Sequence, residues 1–151
     1  MDRSESYIDR FDAYYNDLGP DQRANLKREV TLFLTNRREI ILAYLFGSFV
    51  DGIAFKDIDL ALFLDTKLTP SDQIEKYRDE CSEELAKAFK QVFDVSIMNR
   101  APARFILSIL KEGELLFSRD EVLRTDLIEN CSLASIQNEV ISTQYLREIV
   151  F

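Results

Sequence analysis

Apolar positions recur along this chain with two different periods. Between residues 5 and 18, Ile8, Phe11, Tyr15 and Leu18 stand at helical spacing, and Gly19-Pro20 closes the segment. Residues 20–37 predict a second amphipathic helix with Leu26, Val30, Phe33 and Leu34 on one face. Ile40 to Phe46 is a run of strand length, almost wholly apolar, and residues 57–64 form a second short apolar run bounded by charge. Thr69-Pro70 predicts a helix start, with a hydroxyl cap, proline at the first position and Asp72 at the third. The buried stripe of that helix is Ile74, Tyr77, Cys81, Leu85 and Phe89. Val92 to Met98 predicts a third strand. A short helix from Pro102 carries Phe105, Ile106, Ile109 and Leu110, with Gly113 placed as its C-terminal glycine. Glu114 to Ser118 predicts a fourth strand. From Asp120 onward, one or two helices turn Leu123, Leu127, Cys131, Ile136 and Val140 inward.

The order of elements predicts an α/β (α+β) domain: a small mixed sheet with flanking helices and a helical C-terminal tail. At 151 residues and 46% hydrophobic content the chain can bury a real core as one domain. Its expected bounds are 1–151, with a core at about 38–118, N-terminal helices over 3–37 and C-terminal helices over 120–150. No apolar run approaches the roughly 18 residues that span a bilayer, so no membrane association is expected. The polar, acidic "MDRSESYIDR" predicts neither a secretory signal nor a transit peptide. Two cysteines, Cys81 and Cys131, make no disulfide framework, and a reduced cytoplasmic setting follows by default.

Two bulk facts narrow the chemistry. Histidine is absent, which excludes His-based nucleophile pairs and His-ligated metals and leaves acid–base work to carboxylates, Lys, Tyr or Cys. The net charge of −8 repels polyanions, so direct nucleic-acid binding is not expected and a basic protein partner fits better.

Against that background "LFGSFVDGIAFKDIDLALFLD" stands out. Asp57 and Asp59 fall within the strand predicted over 57–64 and therefore project to one face, about 6.5–7 Å apart at their roots. Two carboxylates so placed raise each other's pKa unless a cation sits between them, and Mg²⁺, a hard ion with oxygen ligands, suits that position. Asp94 in "VFDVSIM" is a third acid in an apolar run, where an unpaired charge is costly to bury. Gly47-Ser48, where the first strand turns toward a short helix, presents backbone N–H groups and a hydroxyl to an anion. Taken singly, each feature also fits an ordinary turn or a water-facing edge strand. Taken together they point to a nucleotide site.

These residues resemble the nucleotidyltransferase superfamily of DNA polymerase beta. The nearest likeness is to the minimal nucleotidyltransferases paired with HEPN-domain toxins in prokaryotic toxin–antitoxin modules. "LFGSFVDG … DIDLALF", "FDVSIMNRAP" and "APARFILSILKEGELLF" carry the resemblance, roughly from Ile40 to Phe117. It implies that Gly47, Ser48 and Lys56 hold a nucleoside triphosphate. It implies that Asp57 and Asp59 ligate Mg²⁺, and that Asp94 completes the metal site or takes the proton of the attacking hydroxyl. The implied reaction is AMP transfer from ATP to a tyrosine of a HEPN ribonuclease, which silences the toxin. A binding module that masks a HEPN partner without catalysis is the alternative. A small-molecule nucleotidyltransferase is less favoured, since no second substrate-binding region is evident. The chain departs from the family pattern in its short return from Gly52 to Asp57. Lys56 stands where serine is usual, and Asp51 where Arg or Lys is frequent.

Overall fold

The computed structural model describes residues 18–52 and 54–136. Helix α1 (Pro20–Thr35) starts where proline is tolerated best, at the first helical position, and Gln22 Oε1 accepts from the Gly19 N–H at 3.0 Å. Then follow β1 (Ile40–Phe46), β2 (Ile58–Leu64), α2 (Ile74–Phe89), β3 (Phe93–Ile97), α3 (Ala103–Glu112), β4 (Glu114–Ser118) and α4 (Glu121–Ile136). The helix expected over 5–18, Tyr14-Tyr15, Val140 and the C-terminal "YLREIVF" lie outside the described residues, apart from Leu18.

The four strands form one mixed sheet in the order β3-β2-β1-β4. β1 pairs antiparallel with β2 and β4, while β2 and β3 run parallel, joined by the α2 crossover. The central strands β1 and β2 lack clean alternation because helices cover both faces of the sheet. On one face Ala43, Leu45, Leu60 and Leu62 pack with Val30 and Leu34 of α1 and with Cys81 and Leu85 of α2. On the other, Leu42, Tyr44, Ala61 and Phe63 pack with Ile106 and Ile109 of α3 and with Leu123, Leu127 and Cys131 of α4. Among the described residues no helix is long and apolar enough to cross a membrane.

Several local expectations change. The segment after Thr69 does not open as a capped α-helix. Ser71–Gln73 forms a 3₁₀ turn, Pro70 precedes it, and no side chain caps it; the Thr69 N–H instead donates to the Asp65 carbonyl at 2.9 Å. Gly113 ends α3 with φ −73°, an ordinary extended backbone and not the left-handed cap that glycine often supplies. Its small size matters for another reason, since a Cβ there would lie 2.5 Å from the Ile109 carbonyl oxygen and 3.1 Å from that of Leu45. Glycine thus lets the end of α3 lie directly on β1. Ile136 is 80% exposed, because α4 has turned its buried stripe of Leu123, Leu127, Cys131 and Ala134 past it.

Candidate active site at one edge of the sheet

The acids gather where β1 ends and β2 and β3 begin. Phe46, Asp59 and Asp94 are cross-strand neighbours in a single row over β1, β2 and β3. Adjacent strands lie about 4.8 Å apart, so Asp59 and Asp94 stand side by side. Both project from the face that carries Ala61 and Phe63, since their strand neighbours Ile58, Leu60, Phe93 and Val95 are buried in the opposite layer. Phe46 meets Phe105 of α3 edge to face at 5.7 Å, closing the hydrophobic side of the row.

Asp57 sits differently from the sequence expectation. β2 begins at Ile58, and Asp57 occupies the bend before it, so strand alternation does not set its direction. The Ile58 N–H donates to the Val92 carbonyl at 2.8 Å, which pins this bend against the start of β3. Asp57 still acts on Asp59. The Asp59 carboxyl is pushed up to about 6 by burial first, then by the charge of Asp94, then by that of Asp57. Among the described residues no hydrogen bond or ion pair meets the Asp59 carboxylate. Asp94 is exposed, so the cost of burying a lone charge falls on Asp59 instead.

Gly47 and Ser48 do turn sharply, but into a hydrogen-bonded turn and not a helix. Gly47 has φ +78° and Gly52 φ +77°; the Val50 and Asp51 N–H groups both donate to the Gly47 carbonyl, at 3.1 and 3.2 Å. The N–H groups of Ser48 and Phe49 donate to no backbone carbonyl among the described residues and remain for an anion. The structure gives Gly47 a second task that the sequence did not signal. A Cβ built on it would lie 2.2 Å from Asp59 Oδ2, so glycine makes room for the carboxylate itself. The glycine turn and the central acid are therefore in direct contact. Lys56 is exposed on the bend beside Asp57, and Asp51 is exposed on the turn.

These residues fit a hard divalent cation. Every donor is a carboxylate oxygen, and the pKa of Asp59 records a local excess of negative charge that a cation would relieve. They form an open row and not a closed cage, for among the described residues no three acidic, Cys or His side chains are already drawn together as a metal-binding group. Beyond Asp94, along the free edge of β3, runs an open cleft of about 490 Å³ lined by Arg78, Ser96, Arg100 and Phe105. Arg100 shares that cleft with Asp94, whereas Lys111 lies in the last turn of α3, away from its Pro102 end. Cys81 is a core side chain, 1% exposed. The sequence reading missed Arg23, Phe49 and Phe55, which meet behind the turn. A lone arginine on an amphipathic helix gives no signal of such a contact.

Comparisons with known proteins bear on the fold and the family. The family model for "Polymerase beta, Nucleotidyltransferase" matches residues 28–122. A solved toxin–antitoxin structure with AMP-PNP shares the fold at a TM-score of 0.58 and 22% identity, covering 76% of this chain and 88% of that one. So does a tri-AMPylated Shewanella oneidensis HEPN toxin in complex with MNT antitoxin, at a TM-score of 0.56 and 22% identity over 78% and 87% of the two chains. The toxin–antitoxin MntA–HepT structure gives a TM-score of 0.55 and 21% identity over 77% and 87%. No curated protein matches the chain by sequence.

Proposed function

Because the chain belongs to the polymerase beta nucleotidyltransferase family, we propose that it is an Mg²⁺-dependent adenylyltransferase that transfers AMP from ATP to a tyrosine of a HEPN-domain toxin, and so acts as an antitoxin. The observation that carries the reading is the partly buried Asp59 carboxylate. Among the described residues it has no cationic partner, it lies beside Asp94 and Asp57, and it touches the Gly47 turn. Such a group is poorly suited to a resting protein and well suited to one that takes up a cation together with phosphates.

In this reading Asp57, Asp59 and Asp94 hold Mg²⁺, and Gly47, Ser48 and Lys56 hold the triphosphate. The ion supplies neutralisation of the phosphate charge when bound. The acceptor oxygen attacks the α-phosphorus, and the bond from that phosphorus to the bridging oxygen breaks. Pyrophosphate leaves with the electron pair, and the hydroxyl proton passes to the carboxylate of Asp94. Asp94 suits that role because it is exposed at the edge of the row, facing the open cleft from which an acceptor can approach. The partner assignment draws support from the fold likeness to toxin–antitoxin complexes, among them one with AMP-PNP and one with a tri-AMPylated toxin. A net charge of −8 suits docking to a basic, RNA-cutting protein. As a cytoplasmic module the pair needs no membrane and no nucleic acid of its own.

The test is intact-mass analysis of a co-expressed HEPN partner. The expected result is a gain of one or more AMP units, lost when Asp57→Asn and Asp59→Asn are combined. Unchanged transfer in that double variant would sink the proposal. One observation favours a second reading, neutralisation by contact alone. Asp51 is an exposed carboxylate within the phosphate turn, where it opposes a triphosphate. That reading predicts that the double variant still neutralises the toxin and that no AMP appears on it.

A further inference from the structure

We infer that Arg23 is a positioning residue for the phosphate turn, a latch thrown across it from a helix position outside the family-matched segment 28–122. The inference rests on the nucleotide reading of Gly47-Ser48. It adds a residue to that site from a part of the chain that the family pattern does not reach.

The two bonds to the Gly47 carbonyl hold the start of the turn, and its far end is held less well. Glycines at positive φ stand at both ends, and the Gly52 N–H reaches the Phe49 carbonyl only at 3.4 Å. Two glycines give such a segment many conformations that an L side chain would forbid. Arg23 restrains it from behind. One guanidinium nitrogen, Nη1, donates to the Phe49 carbonyl at 2.7 Å, and Nε donates to the Leu18 carbonyl at 2.9 Å. The same planar group lies 5.2 Å from the Phe49 ring centroid and 5.1 Å from that of Phe55. Those two rings meet edge to face at 5.0 Å, and both are buried.

Each contact is of a kind that holds geometry. Hydrogen bonds from a charged donor are shorter and stronger than neutral ones, and a guanidinium offers several donors in one rigid plane. The two rings, each with its centroid close to the guanidinium carbon, add cation–π attraction. Fixing the Phe49 carbonyl fixes the peptide planes around it. The Ser48 and Phe49 N–H groups, which donate to no backbone carbonyl among the described residues, are thereby held in place for an anion. Arg23 so acts through the turn, setting the cradle before a nucleotide arrives.

The experiment compares ATP–Mg²⁺ binding by the full chain with that of Arg23→Ala and Arg23→Lys. Each protein is also followed by thermal melting and by amide exchange across residues 48–52. Arg23→Ala is expected to bind about tenfold more weakly, roughly 1.4 kcal/mol, and to exchange faster at Val50–Gly52 while β1 and β2 keep their protection. Arg23→Lys falls between the two, because an ammonium keeps the charge but lacks the rigid planar fork that sets two separate nitrogens against the two carbonyls. A folded Arg23→Ala that binds as the parent does overturns the latch, even if it melts earlier. So does an Arg23→Lys that matches the parent, since charge alone would then suffice. If the alanine variant does not fold, the lysine variant decides by the same two readouts. If the parent chain binds no ATP, the nucleotide reading fails. Exchange in the turn then judges the latch by itself, with unchanged protection counting against it.

Discussion

The two ends of β2 handle buried polar groups in opposite ways. At the far end the Asn99 side chain is 3% exposed, yet both of its polar atoms are matched. It accepts from the Leu64 N–H at 2.8 Å and donates to the Leu64 carbonyl at 2.9 Å. At the near end the Asp59 carboxylate is partly buried with like charges beside it and no partner among the described residues. One polar group is complete within the fold, and the other is left open among the described residues. Buried polar groups are nearly always paired, so an unpaired one marks work outside the fold's own stability. Burial alone does not identify a site, nor does a single unmet hydroxyl such as that of Ser118; a partly buried charge set among like charges says more.

The sharpest way to break this contrast is to neutralise the near end. Combining Asp57→Asn with Asp59→Asn should slow AMP transfer about 10³-fold or more, roughly 4 kcal/mol of transition-state stabilisation, with folding retained. A residual rate within tenfold of the parent would make the acids ordinary surface groups. The far end should respond in the reverse sense. Asn99→Ala leaves two backbone groups of Leu64 without their side-chain partner and should cost about 3 kcal/mol in urea unfolding. KM for ATP should stay unchanged at temperatures where the variant is folded. A large KM effect would mean that the far end also serves the site.

Gly47→Ala tests how closely the turn and the acid are joined. The left-handed backbone and the 2.2 Å approach to Asp59 Oδ2 both oppose a methyl group there. The variant should lose about 2 kcal/mol of stability and should bind ATP–Mg²⁺ more weakly, read by calorimetry. Normal binding would show that the carboxylate can move aside without harm. The smallest effect has the opposite sign. The Asp59 pKa lies at about 6 in the folded chain against an ordinary 3.8, so the native state holds a proton that the unfolded chain releases. The ionised group therefore costs stability above pH 6, and the cost fades as pH falls through 6 toward 3.8. Asp59→Asn alone should then stabilise the metal-free protein by about 1 kcal/mol at pH 7, a figure discounted for solvent screening. That advantage should vanish near pH 4 and reverse when Mg²⁺ and ATP bind the parent. Melting curves at several pH values check it.

How much of this was legible along the chain differs from element to element. β1 and β4 run as the sequence predicts, because short apolar runs bounded by polar turns have few other choices. The mixed sheet follows from the order of elements, and the family from the resemblance carried by the segments around Gly47-Ser48, Asp57, Asp59 and Asp94. Asp57 lies one residue outside the strand expected for it, since local pattern fixes the identity of an element better than its ends. Ile136 was expected inward and faces out, because helical periodicity cannot say where a partner surface stops.

The sequence alone determined which chemistry the chain can offer: carboxylates without histidine, a glycine turn before a strand, and an acidic exterior. Those are properties of residue type and local spacing, and each is read within a few positions of itself. Only the tertiary structure decided which of these groups meet. Asp59 and Asp94 are 35 positions apart yet adjacent across a parallel pair, Gly47 is glycine because Asp59 lies under it, and Arg23 reaches the Phe49 carbonyl from 26 positions away. Strand register and helix packing set those encounters. They depend on the whole core closing at once, and no local stretch of sequence encodes them.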